Sequence, residues 1–187
     1  MDATHSLTGH LLLAMPGMTD PNFHQAVTYI CEHSPSGALG IVINKPMTMD
    51  VGDVLEQLAL ETEAPLLRAQ PVLRGGPVQA ERGFVLHEVP RKWDATTDVG
   101  HSIYVTTSQD ILSDLAAGKG PDRILMALGY AGWGAGQLED EILSNAWLTV
   151  PATADIVFET PYEQRWTAAV RSLGIDPASL SLNAGHA

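Results

Sequence analysis

A single cysteine, Cys31, stands in 187 residues, so no disulfide can form within the chain. The fold must be held by its core alone, which fits a reducing compartment. Basic residues are scarce as well: ten Lys and Arg face 22 Asp and Glu, for a formal net charge of −12. That is the wrong sign for attracting a phosphate backbone, whose affinity comes chiefly from Lys and Arg displacing counterions. The few cations are scattered, Arg91-Lys92 coming nearest to a cluster, so direct nucleic-acid binding is not expected. Long apolar runs are missing too. Leu11-Leu12-Leu13-Ala14-Met15 stops at Pro16, and Met1 to His5 holds no basic leader. We therefore expect neither a membrane span nor a secretory signal, and a cytoplasmic protein.

Hydrophobic residues make up 45% of the chain and charged ones 17%, the balance of a globular protein and not of a disordered one. At this length roughly 70% of the unfolded surface can be buried, enough for one domain. We expect 1–187 to be a single unit, with an ordered core over about 8–182 and short loose ends that include Ala184 to Ala187. Strands are expected at Leu11 to Met15, Pro71 to Leu73, Phe84 to His87, Ile103 to Thr106, Arg123 to Leu128 and Trp147 to Val150. Ala26 to Glu32 and Ala38 to Asn44 read as a β-hairpin turned by Ser34-Pro35-Ser36-Gly37.

Helical spacing is clearest at Val51, Val54, Leu55 and Leu58, behind Asp50 as N-cap. Thr107 or Ser108 is expected to cap a helix that carries Ile111, Leu112 and Leu115 and ends at Gly118 or Gly120. Gln137 to Asn145 reads as another helix, with Glu139, Asp140 and Glu141 near its positive end. Thr160-Pro161-Tyr162-Glu163 combines a capping box with proline at the first helical position, ahead of the stripe Tyr162, Trp166, Ala169, Val170 and Leu173. Asn22 to Gln25 fits a brief helical turn; Glu61 to Gln70 and the polar segment Lys92 to Asp98 show no period and read as connection and surface loop. An early hairpin followed by strands alternating with helices gives an α/β (mixed α+β) fold, a mixed sheet covered by helices.

Three glycine-punctuated motifs close predicted strands: Gly40 through Pro46, Arg74-Gly75-Gly76-Pro77-Val78, and Leu128 through Leu138. They mark a place where backbones converge, and they bring no nucleophile, metal cluster or phosphate loop with them. In the third, a GxGxxG register starting from Gly132 and Gly134 would need glycine at Gln137; Gly118-Lys119-Gly120 fails as a Walker loop. Tyr130 and Trp133 either plug a sheet end or form the lip of a pocket. Arg74-Gly75-Gly76-Pro77 is either a tight connection or an anion nest.

Cys31 and His33 would share a strand face, yet we read Cys31 as a small apolar core residue. The seven histidines show no HExxH or HxH spacing, so no metal and no cofactor is expected. Neither Ser34 nor Ser36 sits in a nucleophile elbow, and Glu139, Asp140 and Glu141 read as a solvated helix face.

Taken together, several stretches resemble the AlgH/YqgE family of bacterial proteins, in one order and from about residue 8 onward. They are Gly9 to Pro16, Asp20-Pro21-Asn22-Phe23, Gly37 to Pro46, Gly75-Gly76-Pro77-Val78, Gly83 to His87, Thr107-Ser108-Gln109-Asp110, Gly129 to Trp133, and Gln137-Leu138-Glu139 through Asn145-Ala146-Trp147-Leu148. The resemblance implies a compact α/β protein of the bacterial cytosol with a mixed, strongly curved sheet. Members are often labelled transcriptional regulators, a name tied to alginate production, and the family has no established biochemical activity. Asp20, Phe23, Asn44, Pro46, Gly75, Gly76, Pro77, Ser108, Tyr130, Trp133, Gln137 and Trp147 are its motif residues here, marked without roles.

The chain shows no helix-turn-helix, so any regulation is expected to be indirect. The reading is a non-enzymatic regulatory or interaction protein that binds a protein or small ligand. Its candidate contacts are Asn44, Lys45, Pro46, Arg74, Gly75, Gly76, Pro77, Tyr130, Trp133 and Gln137. The alternatives are a hydrolase-like enzyme using Ser108 or the Glu139 to Glu141 carboxylates, and a DNA-binding regulator.

Overall fold

In a computed structural model, residues 6–184 are described. Ten strands form one sheet: β1 (His10–Ala14), β2 (Val27–Ser34), β3 (Gly37–Val42), β4 (Pro46–Asp50), β5 (Pro71–Arg74), β6 (Val78–His87), β7 (Thr96–Gly100), β8 (Ile103–Thr106), β9 (Ile124–Gly134) and β10 (Trp147–Pro151). The main path runs β10-β1-β2-β3-β9-β6-β8-β7, with β4 attached to β5 and β5 to β9. Among the described residues only the β5 and β9 pair is parallel. Around the sheet lie α1 (Val51–Gln57), α2 (Pro65–Ala69), α3 (Asp110–Ala116), α4 (Gln137–Leu143), α5 (Arg165–Ser172) and α6 (Pro177–Ala184).

Alternation along the strands assigns the two faces. One face is a single cluster that includes Leu11, Tyr29, Ile41, Leu73, Phe84, Ile103, Leu125 and Val150, roofed by Ala169 and Val170 of α5. The other divides in two: Leu12, Ile30, Val42 and Trp133 pack under Leu138 of α4, while Val72, Val85 and Met126 pack under α1 and α3. A continuous inner core with a split outer one is what a strongly curved sheet produces. The ends of the curl meet where Gly9, just before β1, lies against Val99 and His101 at the β7–β8 turn.

The sheet has its pivot in β9. Leu125 to Leu128 pair with β6, and Ala127 and Leu128 also pair with β5. Past Gly129 the same strand turns to β3, through Ala131 to Gly134. Gly129 takes φ +81°, which L side chains rarely adopt. The strand that the sequence reading ended at Leu128 therefore runs on through the glycine tract to Gly134, before a turn at Ala135-Gly136, a correction to that reading.

Other expectations also change. Thr96 to Gly100 is not loop but β7, joined to β8 by His101 and Ser102, both at positive φ. A two-residue hairpin turn of this kind normally announces itself with Asn-Gly, and nothing here does. Glu61 to Gln70, read as connection, holds α2, and β4 and α6 went unforeseen. The Asn22 to Gln25 segment is a turn. Asp50 does cap α1, in a reciprocal capping box with Asp53.

At Thr160 the expected capping box does not form, because the Thr160 N–H and hydroxyl both donate to the carbonyl of Asp155, closing a π turn over Asp155–Glu159. A short 3-10 turn, Tyr162–Gln164, then leads into α5. Nor does Thr107 or Ser108 cap α3: Gln109 stands at its N-cap without a side-chain bond. Of the tail expected to be loose, Ala184 ends α6, and Gly185 to Ala187 lie outside the described residues.

Arg165 opens α5 and is 2% exposed. Its Nε donates to the Ile156 carbonyl at 3.1 Å, Nη1 donates to the carbonyl of Ile43, and the guanidinium lies 4.6 Å from the centre of the Tyr162 ring. Burial lowers its pKa to about 10, so it remains a cation at neutral pH.

A Cβ at Gly75 would lie 2.2 Å from the carbonyl oxygen of Gly129, whereas nothing lies within 4 Å of one at Gly17. Gly75→Ala should therefore cost about 3 kcal/mol, roughly 10 °C in Tm, and Gly17→Ala almost nothing. Thermal melts of the two variants check this.

Candidate functional site

All three glycine motifs meet at one junction. Gly75 N–H donates to the Leu128 carbonyl at 2.8 Å, and the Gly75 carbonyl accepts from Val42 N–H at 2.8 Å. Arg74 N–H donates to the Lys45 carbonyl at 2.8 Å. A Cβ at Gly76 would lie 2.1 Å from the Tyr130 carbonyl carbon. The convergence is thus of backbones in contact, with no room left between them.

Around the junction the candidate side chains mostly hold the fold. Asn44 Oδ1 accepts from Val27 N–H and its Nδ2 donates to the Gln25 carbonyl, each at 2.9 Å. Lys45 Nζ donates to the His24 carbonyl at 2.5 Å, and partial burial lowers its pKa. Pro46 pairs with Leu73 across β4 and β5. Arg74 and Pro77 are exposed. Tyr130 lies on the inner face against Phe84, with Arg82 over both rings.

Trp133 is on the opposite face from Tyr130. It packs with Phe23 and Trp147 and is 7% exposed. Glu141 of α4 accepts from the indole N–H of both Trp133 (3.0 Å) and Trp147 (2.9 Å), while Gln137 Nε2 donates to its second oxygen at 2.9 Å. Gln137 also accepts the N–H of Gly134 at 2.9 Å. Glu141 is therefore no part of a purely solvated face, which corrects the sequence reading. The signal was available in its helical position, four residues after Gln137, and in two tryptophans whose N–H groups each needed an acceptor.

What the sequence reading missed is an open groove of about 550 Å³ on the outer face. Met47 and Met49 of β4, Val54, Gln57 and Leu58 beside α1, Leu112 of α3, and Met126 and Leu128 of β9 line it; Glu81, Thr107, Ser108 and Gln109 form the polar part of its wall. Such a size and lining fit a ligand site. Its methionines belong to two separate stretches of chain, and β4, which supplies two of the three, was not foreseen.

No reactive set appears there. Ser108 Oγ donates to Asp110 Oδ1 at 2.5 Å and accepts from Ala95 N–H at 3.0 Å, so the only side chain it bonds is a carboxylate, a weak base, and no histidine lines the groove. Slight burial raises the Asp110 pKa, but hydrogen bonds from Ser108 and the N–H groups of Asp94 and Ile111 outweigh it and hold the carboxyl below its usual range. Cys31 is buried, and burial, with the charge of Glu32 adding to it, pushes its thiol well up, away from thiolate chemistry. His33 Nδ1 accepts from Leu7 N–H at 2.9 Å and Nε2 lies 3.4 Å from Glu139. Among the described residues no group of three or more metal-ligating side chains occurs, and no helix is long and apolar enough to cross a membrane.

The AlgH-like family model matches residues 11–178. The chain belongs to the AlgH-like family. It is 52% identical to a UPF0301 protein of Thioalkalivibrio sulfidiphilus over 187 residues, covering all of both chains. It is 49% identical to a UPF0301 protein of Photobacterium profundum, covering 97% of this chain and 100% of that one. The solution structure of AlgH from Pseudomonas aeruginosa superposes with a TM-score of 0.80 at 45% identity, covering 97% and 96% of the two chains. Protein DIP2367 of Corynebacterium diphtheriae, at 21% identity and a TM-score of 0.72 over 92% and 90%, shares the fold.

One buried histidine of this AlgH-like chain sits in a chain of hydrogen bonds with a fixed direction. Trp93 N–H donates to Thr96 Oγ1 (2.8 Å), which lies 2.7 Å from Thr106 Oγ1, itself 2.7 Å from His87 Nε2. His87 Nδ1 lies 3.0 Å from the Val89 carbonyl, so Nδ1 carries the proton and Nε2 accepts. Burial lowers the His87 pKa; the bond to Val89 opposes this and the Arg91 charge reinforces it. The unfolded chain protonates this ring below about pH 6.5 and the folded chain resists, so stability drops as pH falls through that value. Tm should decline between pH 7 and pH 5 more steeply in the parent than in His87→Gln. Separately, Glu141→Leu leaves two indole donors without their acceptor and should cost about 2–4 kcal/mol, read from denaturant melts followed by tryptophan fluorescence.

Proposed function

We propose that this AlgH-like chain is a non-enzymatic interaction protein of the cytosol, and that any effect it has on gene expression runs through a bound partner and not through DNA. One observation supports the reading above others: the groove is lined by methionines and leucines, and the one hydroxyl on its wall that bonds a carboxylate, Ser108, faces an Asp110 held below its usual pKa range and so a weak base. Methionine side chains are flexible and polarizable, so they accept apolar groups of varied shape, a property suited to recognition and not to holding a reacting atom still. The exposed rim residues Pro46, Arg74 and Pro77 border the same region of the sheet and are available for contact. Asn44, Lys45, Gly75, Gly76, Tyr130, Trp133 and Gln137 would then serve by fixing that surface. The net charge of −12 argues against a nucleic-acid partner.

Nile red, a neutral apolar dye, should bind the purified protein saturably. Leu112→Trp, which puts a larger ring into the groove, should weaken that binding roughly tenfold without changing the circular dichroism spectrum. Undiminished dye binding in this variant would remove the groove from the reading. Hydrolysis of an ester, phosphate or peptide substrate, lost in Ser108→Ala, would replace the reading with the enzymatic one.

A further inference from the structure

A second hollow continues the groove along α1. It is lined by Thr48, Met49, Asp53, Glu56 and Gln57, and shares Met49 and Gln57 with the first. Glu81 stands in the wall of the groove itself. Neither hollow is lined by Lys or Arg. Of the three carboxylates, Glu56 pairs with Arg68 at 3.2 Å, but both partners are well exposed, so the pair is weak and solvent-screened. Asp53 uses one oxygen to accept the Asp50 N–H, and neither Asp53 nor Glu81 forms an ion pair among the described residues. The result is an apolar slot with an acidic shoulder on a protein of net charge −12.

From this charge pattern we infer that the groove takes a cationic amphipathic segment of another protein, with apolar side chains seated on Met47, Met49, Met126 and Leu112 and with Lys or Arg lying along Asp53, Glu56 and Glu81. The inference rests on the binding reading above and adds the chemistry of the partner. Apolar anchors supply contact area, and the adaptable methionines make the slot tolerant of which anchors they are. The acidic shoulder supplies selection: it steers a positive segment in and leaves a negative one facing uncompensated like charge. A partner segment of this kind is basic, as a nucleic-acid-binding protein's segments commonly are, which gives an acidic protein a route to gene expression without touching DNA.

The test uses the full chain, Nile red, and two synthetic peptides, one an amphipathic helix of Leu and Lys and the other the same sequence with Glu for every Lys. The Lys peptide should displace the dye and lose affinity as salt rises, and the Glu peptide should not compete. Glu56→Lys, at an exposed position that lines the second hollow and not the groove, should weaken the Lys peptide roughly fivefold and leave dye binding unchanged. Equal binding of the two peptides, preference for the Glu peptide, or no displacement by either would overturn the inference while leaving the groove in place. Failure of the parent protein to bind the dye would overturn the groove reading and the inference with it.

Discussion

Where Gly75-Gly76 crosses Gly129-Tyr130, the two chain segments touch backbone to backbone, and a side-chain carbon at Gly76 or Gly129 would come within 2.1 Å or 2.4 Å of the opposite segment. The sheet depends on that contact. At Gly129 strand β9 leaves β5 and continues along β3, and Gly75 bonds to both β9 and β3 as the hand-over occurs. Without a Cβ the segments come close enough for those bonds to form; with one they would be forced apart and the curl would open. The inner core, shared by strands from β10 to β7, exists because the curl is closed.

The junction also reaches the groove. Leu128 offers its carbonyl to Gly75 and its side chain to the methionine-lined wall, so the tightest point of the fold sets the floor of the open hollow. Glycines that leave no space of their own thereby shape a space next door. The glycine motifs and the hollow are parts of one arrangement: rigid backbone on one side, pliable side chains on the other.

How much of this could be read from residues alone follows from what each signal measures. Runs of apolar, β-branched and aromatic residues marked β1, the β2–β3 hairpin, β8 and the first half of β9, because each is largely buried. Helical spacing and Asp50 marked α1, and its capping box formed. The glycines of β9 were misread because local propensity counts them as breakers, whereas here a long-range backbone contact requires them. β7 was hidden by its polar outer face and by a turn made from His101 and Ser102. The motif at Thr160 misled for the opposite reason: its pattern was right for a cap, but Asp155 five residues back captured the hydroxyl. Convergence of the motifs at one place was legible; the groove was not, since it is assembled from β4, α1, α3, β6 and β9, and no local pattern encodes such a meeting.

Arg165 adds a matter of timing. A guanidinium without a carboxylate within 4.0 Å among the described residues answers two carbonyls, one of them Ile43 at the end of the first hairpin, 122 residues earlier. A chain emerging from the ribosome makes the hairpin long before it makes the arginine. Until α5 arrives, the Ile43 carbonyl has only water to bond, and the hairpin's exit stays hydrated. A late-made helix thus completes an early-made hairpin, and a product cut short before Arg165 leaves that carbonyl to solvent.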